Sequence, residues 1–255
     1  MRITERGDPS RSPLVLLHGL ASSPRCWQRT LPAVEQRHRV LMVDLFAGAT
    51  RRFGLDDSAR ELAQRLVDLG IGPAALVGHS MGGLVALHVS AEAPELVASM
   101  VLVDVPAIPI RRRRLGQAVA VARSSVRRDA SALGLVLGCV LRTSPITLIA
   151  ATRATMRADL ERQAAGTPFP TLLVWGGRDA IVPRVVGERL ALGMPAAELV
   201  VIPDAGHQPM WEAPAAFNAA LVAFLATVVA PAGHAAAVSA GDRAAPAPPH
   251  RPPGG

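Results

Sequence analysis

Gly78-His79-Ser80-Met81-Gly82 is the stretch of this chain with the sharpest chemical meaning. It follows the apolar run Ala74–Val77 and leads into the helical stretch Gly83–Ala93. A G-x-S-x-G set between a strand and a helix permits a tight turn that lifts the serine hydroxyl to the top of a sheet. The helix N-terminus behind it supplies free N–H groups and a positive dipole end. A serine hydroxyl is a poor nucleophile alone, so such a site needs a base and an acid that orients the base.

His207, in Val201-Ile202-Pro203-Asp204-Ala205-Gly206-His207, lies just past an apolar run, where a loop can deliver it to the edge of a sheet. Asp179, in Trp175-Gly176-Gly177-Arg178-Asp179, occupies the same position after the preceding run. In this assignment His207 takes and returns the Ser80 proton, while Asp179 fixes the imidazole tautomer and stabilises the imidazolium. Asp104, at the end of the run Met100–Val103, is the closer rival for the acid, and Asp204 reads as a residue that shapes the His207 loop. His79 reads as packed beneath the turn. His88, on the following helix, and His38, His234 and His250, which lie in no motif, read as structural or surface residues. An oxyanion needs two backbone donors. Met81 N–H is one, and Leu20, with Ala21 as second choice, is the other, in the loop Leu16-Leu17-His18-Gly19-Leu20-Ala21-Ser22. Gly19 lets that loop turn toward a substrate, and His18 reads as ordering it.

These residues need a scaffold that brings distant segments to one edge. Leu14–Leu17, Val40–Val43, Ala74–Val77, Met100–Val103, Leu172–Trp175 and Leu199–Ile202 are short, continuous apolar runs, as strands covered on both faces should be. Between them lie amphipathic stretches. Asp56–Leu69 gathers Ala59, Leu62, Ala63, Leu66 and Leu69 on one face, and Ala213–Val229 repeats the pattern with Phe217, Leu221, Phe224 and Leu225. Such alternation predicts an α/β fold, a mostly parallel central sheet flanked by helices.

With these pieces in order, the chain resembles the α/β-hydrolase superfamily over about residues 12–229, in its serine-nucleophile, esterase- and lipase-like branch. The resemblance rests on His18-Gly19, Asp44, Gly78-x-Ser80-x-Gly82, Asp179 and Gly206-His207, and on the closing segment Gly206-His207-Gln208-Pro209-Met210-Trp211-Glu212-Ala213-Pro214. The order Ser80…Asp179…His207 is the order that family uses. About 60 residues of helical composition with no convincing strand separate the runs ending near Val105 and starting near Thr171, so 106–166 reads as an inserted helical cap between core segments 1–105 and 167–229, where the family also places its cap. The chain departs from the family in two places. Few residues precede Leu14, so the family's first strand is expected to be absent or vestigial. The loop Asp44-Leu45-Phe46-Ala47-Gly48-Ala49 replaces a more glycine-rich one. A serine nucleophile argues against the family's dehalogenases and epoxide hydrolases, whose nucleophile is aspartate.

Composition narrows the partners. The chain has 255 residues, half of them hydrophobic, and a net charge of +7. All 27 basic residues are Arg, and the only Asn is Asn218, a bias that follows GC-rich codons and says nothing about anion recognition. The charge is local: residues 106–166 hold 11 Arg against Asp129, Asp159 and Glu161, a balance of +8. Within that segment the apolar stretch Ala130–Leu141 is too short to span a bilayer, which takes about 20 residues. It reads as a buried cap helix or as the wall of an acyl pocket. Arg111–Arg114 and Arg127–Arg128 could attract an anionic head group, an acyl carrier or a membrane surface. With few aromatics to stack bases, nucleic acid is not expected. Cys26 and Cys139 lack metal spacing, and no phosphate-binding G-x-G-x-x-G follows a strand, so neither metal nor cofactor is expected. The Ala/Pro/Gly-rich stretch 230–255 cannot build a core and is expected to be disordered. The N-terminus shows no signal peptide, so the expected setting is the cytoplasm.

The expected activity is cofactor-independent serine hydrolysis of a small carboxylic ester, lactone or thioester through an acyl-enzyme. The alternatives are carbon–carbon bond hydrolysis, a lyase reaction or perhydrolysis on the same three residues, or a ligand-binding protein on a hydrolase scaffold.

Overall fold

The computed structural model describes residues 1–48, 53–109 and 130–228. Seven strands form one sheet: β1 (Arg2–Arg6), β2 (Pro13–Leu17), β3 (Arg39–Asp44), β4 (Ala74–His79), β5 (Val97–Val103), β6 (Thr171–Gly176) and β7 (Ala197–Ile202). Their order across the sheet is β1-β3-β2-β4-β5-β6-β7. All neighbours run parallel except β1, which pairs antiparallel with β3 from Arg2↔Asp44 to Arg6↔Val40. The six apolar runs of the sequence are the six parallel strands, each extended by one to three residues.

The family's first strand, expected to be absent or vestigial, is present as the short edge strand β1. Its sequence, Arg-Ile-Thr-Glu-Arg, is mostly exposed and only Ile3 packs on the core. An edge strand needs no continuous apolar run, and its charges discourage further pairing. Its pairing partner β3 therefore defines it better than its own composition does.

Nine helices flank the sheet among the described residues. In chain order they are α1 (Leu31–Val34), α2 (Leu55–Asp68), α3 (Met81–Glu92), α4 (Ala130–Arg142), α5 (Pro145–Arg157), α6 (Glu161–Ala165), α7 (Arg184–Gly193), α8 (Pro209–Glu212) and α9 (Pro214–Val228). Strand side chains alternate between two apolar layers. Val15, Leu17, Leu41, Val43, Leu76 and Leu173 join a layer with α2, α3 and α7. Leu14, Leu16, Val40, Val77 and Leu172 join one with α9. The helix α3 is apolar on every side because it is wedged between the sheet and α2, and Met81 to Leu87 are all buried.

The stretch between β5 and β6, where the sequence predicts a helical insertion, contains α4, α5 and α6 in its described part. Arg111–Arg114, Arg127–Arg128 and the tail 230–255 lie outside the described residues.

Phe217 shows how the α9 layer is held. It is fully buried, with its ring centroid 6.2 Å from that of Trp27, also buried. Phe217→Ala is expected to lower unfolding stability by about 3–5 kcal/mol, read from urea midpoints, through lost transfer free energy and an unfilled cavity. A loss below about 1 kcal/mol would mean that this layer is loosely packed.

Candidate active site

In a parallel sheet the loops that leave the C-terminal strand ends gather at one edge, which is where ligands bind in open α/β folds. Ser80 follows β4, Asp104 follows β5, Asp179 follows β6, His207 follows β7, and the His18–Leu20 loop follows β2. Residues separated by up to 189 positions, from His18 to His207, thus share one rim.

Ser80 stands at φ 51° and ψ −117°, in the left-handed half of backbone space that a residue with a Cβ rarely adopts. The turn survives because its surroundings hold it. Ser80 N–H donates to Val103 O at 2.8 Å, and Ser80 O receives Gly83 N–H at 3.0 Å. Its glycines are required by close approach. A Cβ on Gly78 would fall 2.5 Å from Gly83 Cα, and one on Gly82 would overlap the carbonyls of Leu17 and His18. Gly82→Ala is therefore expected to cost about 1–3 kcal/mol of stability, visible as a lower urea midpoint, because backbone rather than a flexible side chain must yield. An unchanged midpoint would show that β2 and α3 can part at no cost.

Three side chains meet at this rim. Ser80 Oγ lies 3.1 Å from His207 Nε2, and His207 Nδ1 lies 2.7 Å from Asp179 Oδ2. A carboxylate only accepts, so Nδ1 carries the proton and Nε2 is left to accept from the Ser80 hydroxyl. Asp179 is itself oriented, its Oδ1 accepting from Ile181 N–H at 2.7 Å and Val182 N–H at 3.0 Å. All three residues are buried, so the interactions are little screened by water.

The rival acid sits beside them in a different state. Asp104 is fully buried with φ 48°, and its Oδ1 accepts Gly176 N–H at 2.9 Å. Burial, then the negative charge of Asp179, pushes its carboxyl well above the ordinary carboxylate range, although the Gly176 bond works against this. The other rival, Asp204, is exposed and pairs with Arg178.

Sequence reasoning missed what supports His207. Glu212 accepts Gly206 N–H at 2.7 Å and Gln208 N–H at 3.0 Å, clamping the backbone on both sides of the histidine. In the sequence Glu212 stands only as part of the closing motif. Its spacing from the loop, one helical turn on, was the available signal. His79 lies under the turn as expected and adds a bond, with Nε2–H donating to His207 O at 2.6 Å and rings 4.9 Å apart.

His18 also has a defined task. Its Nδ1–H donates to Gly19 O at 2.9 Å and its Nε2 accepts Leu45 N–H at 3.1 Å, tying the loops after β2 and β3 together. Asp44 shapes the second of these loops, its Oδ1 accepting from Phe46 N–H and Ala47 N–H. Leu20 is partly exposed, next to Ala21 at φ 51°. Met81 begins α3, where the first N–H groups of a helix have no partner within it.

Two clusters among the described residues carry metal-capable atoms within 4.8 Å of one another: His79, Asp104 and His207, and Asp56, His88 and Glu92. In the first, His79 Nε2 and both His207 nitrogens are already engaged in hydrogen bonds. In the second, which is exposed, His88 Nδ1 pairs with Asp56 at 2.8 Å and Arg60 lies 3.8 Å from Glu92.

Comparison with known proteins places the chain in a family. The profile of the Alpha/beta hydrolase family matches residues 14–220. The dihydrolipoyllysine-residue acetyltransferase component of an acetoin cleaving system from Pseudomonas putida is 32% identical over 249 residues, which cover 88% of this chain and 66% of that protein. This chain thus spans just under two thirds of that relative. A pimeloyl-[acyl-carrier protein] methyl ester esterase from Nitrosomonas europaea is 28% identical, covering 80% of this chain and 92% of its own. Among solved structures, a thermophilic esterase from Thermogutta terrifontis superposes with a TM-score of 0.76 at 26% identity, over 89% of this chain and 93% of its own.

Proposed function

The chain belongs to the Alpha/beta hydrolase family and is an esterase-like hydrolase, and from that premise we propose that Ser80, His207 and Asp179 form a catalytic triad that cleaves a small carboxylic ester, lactone or thioester. The observation that carries the reading is the continuous hydrogen-bonded line from Ser80 Oγ through His207 to Asp179, at 3.1 and 2.7 Å.

In this mechanism His207 Nε2 takes the Ser80 proton as Oγ attacks the acyl carbon. The backbone N–H groups of Met81 and Leu20 receive the oxyanion, where fixed donors cost no reorganisation. The imidazolium, stabilised by Asp179, then protonates the leaving alcohol or thiol, and the acyl group stays on Ser80. Water, deprotonated by His207, attacks the acyl carbon, the acyl–Oγ bond breaks to release the acid, and the His207 imidazolium returns the proton to Ser80 Oγ.

We assign residues 1–105 and 167–229 to the catalytic core, 106–166 to a cap over its rim, and 230–255 to a tail. The substrate in this reading has an apolar part, and the cap is anchored by Ala151, Leu160 and Ala164, which join the core layer that also holds Met81. The Nitrosomonas europaea relative, named for an ester on an acyl carrier, supports ester cleavage as the reaction class. Among the described residues no helix is long and apolar enough to cross a membrane.

The test is a fluorophosphonate probe together with p-nitrophenyl esters of increasing chain length. Labelling of Ser80 and Ser80-dependent ester turnover are expected. Absence of both would overturn the acyl-enzyme mechanism. Labelling without ester turnover would move the reaction to carbon–carbon cleavage or a lyase step.

A further inference from the structure

From Leu137 to the end of α4, and along α5, the described residues are buried on one side only. Their inner side chains Cys139, Thr147 and Ala151 are packed against the core. Their outer sides expose large apolar groups: Leu137, Val140 and Leu141 on α4, and Ile146, Ile149 and Met156 on α5, between 45% and 76% accessible. Six of the ten exposed large hydrophobic residues among those described stand on these two helices. Scattered single apolar residues on a surface are ordinary, whereas a concentration of them marks a contact surface.

Spacing shows that these groups form faces. With 3.6 residues per turn, steps of three and four return to the same side of a helix. Leu137, Val140 and Leu141 follow such steps on α4. On α5, Ile146, Ile149, Arg153 and Met156 advance by three, four and three, so an arginine stands within the apolar face. Arg142 ends α4 and Arg157 ends α5, and both are exposed with Arg153. From Ala130 to Ala158 the chain has three Arg and no Asp or Glu, and the next acid is Asp159, two residues beyond Arg157.

Exposed apolar groups mixed with arginines, on helices that hold no acid and are too short to span a bilayer, are the pattern of a surface that lies in a lipid interface. The arginine stems extend the apolar face while the guanidinium groups reach the head-group phosphates. A soluble partner would have to cover the same apolar area with a fitted surface of its own. A bilayer needs no fitted shape, and the sign of the charge selects an anionic one. We propose that the outer faces of α4 and α5 dock this enzyme onto an anionic lipid surface, held by Leu137, Leu141, Ile149 and Met156 and by Arg153 and Arg157.

This docking is independent of the chemistry at Ser80, and it can be tested separately. The full chain is sedimented with large vesicles of phosphatidylcholine, with or without an equal share of phosphatidylglycerol. Binding is expected only with phosphatidylglycerol, and it should weaken as salt rises. Each arginine near the surface is worth about fivefold in partitioning. Arg153→Glu/Arg157→Glu is therefore expected to reduce binding by at least about 25-fold, and Ile149→Glu/Met156→Glu by about tenfold or more. Both double variants replace exposed side chains, so the unfolding midpoint and turnover of a short soluble ester should match the parent. Equal binding to both vesicle types would overturn the role of charge. No vesicle binding, with either concentration-dependent dimerisation or complex formation with a purified acidic carrier protein, would overturn the lipid and assign the face to a protein. No binding to any of these would overturn docking altogether.

Discussion

Ser80→Ala is expected to lower kcat/KM for a p-nitrophenyl ester by about four to six orders of magnitude, with KM little changed. The size follows from what is lost. Without Oγ no acyl-enzyme forms, so the reaction falls back on water attack assisted only by the backbone donors and by substrate positioning, and those alone leave a residual rate enhancement of about 10³–10⁴. Structure should be spared, because alanine keeps the Cβ that the left-handed turn already accommodates, and Ser80 N–H and O keep their bonds to Val103 and Gly83. In the proposed triad the three side chains act as one unit along the bonds of 3.1 and 2.7 Å. His207→Ala should therefore reach nearly the same floor, and the double variant should fall no further. Single-turnover kinetics and fluorophosphonate labelling measure this directly. A Ser80→Ala enzyme within about tenfold of the parent would remove the nucleophile from the mechanism, and additive losses in the double variant would separate serine from histidine.

What could be read from the sequence follows the range of the interactions. Buried parallel strands write themselves as continuous apolar runs, so Leu14–Leu17 and its five counterparts were legible, whereas β1 was not, being defined by its pairing with Val40–Asp44. The turn at Ser80 was legible because its constraints are local: Gly78 and Gly82 answer to atoms within five residues and to the neighbouring strand. The support of His207 was not. Its bond from His79 crosses 128 positions, and Glu212 acts through backbone N–H groups that carry no residue signature. The choice between Asp104 and Asp179 was hardest, because both acids follow apolar strands. It turns on a difference of neighbours: Asp179 reaches His207 Nδ1, while Asp104 reaches Gly176 N–H.

That difference predicts opposite outcomes for one chemical change. Asp179→Asn is expected to lower kcat by about 10³–10⁴-fold, because an amide cannot fix the Nδ1–H tautomer or stabilise the imidazolium. Asp104→Asn should stay within about tenfold of the parent. Burial and the charge of Asp179 push the Asp104 carboxyl toward its neutral form, and the groups around it are Asp179, His207, His79 and Glu212. An amide has the size and neutrality of the protonated acid, and its oxygen can still accept from Gly176 N–H. The same change carries a pH signature of stability. The folded-state pKa of Asp104 is raised above the unfolded value of about 3.9. Its contribution is thus complete below that value, where both states hold the proton. As pH rises from there toward the folded value, the unfolded chain releases its proton and the folded chain keeps it, so stability drains away. Asparagine removes this drain, and urea midpoints of Asp104→Asn should gain on the parent as pH rises above about 4. If Asp104→Asn instead lost as much activity as Asp179→Asn, with a parent-like stability profile, Asp104 would be the ionised acid that serves His207.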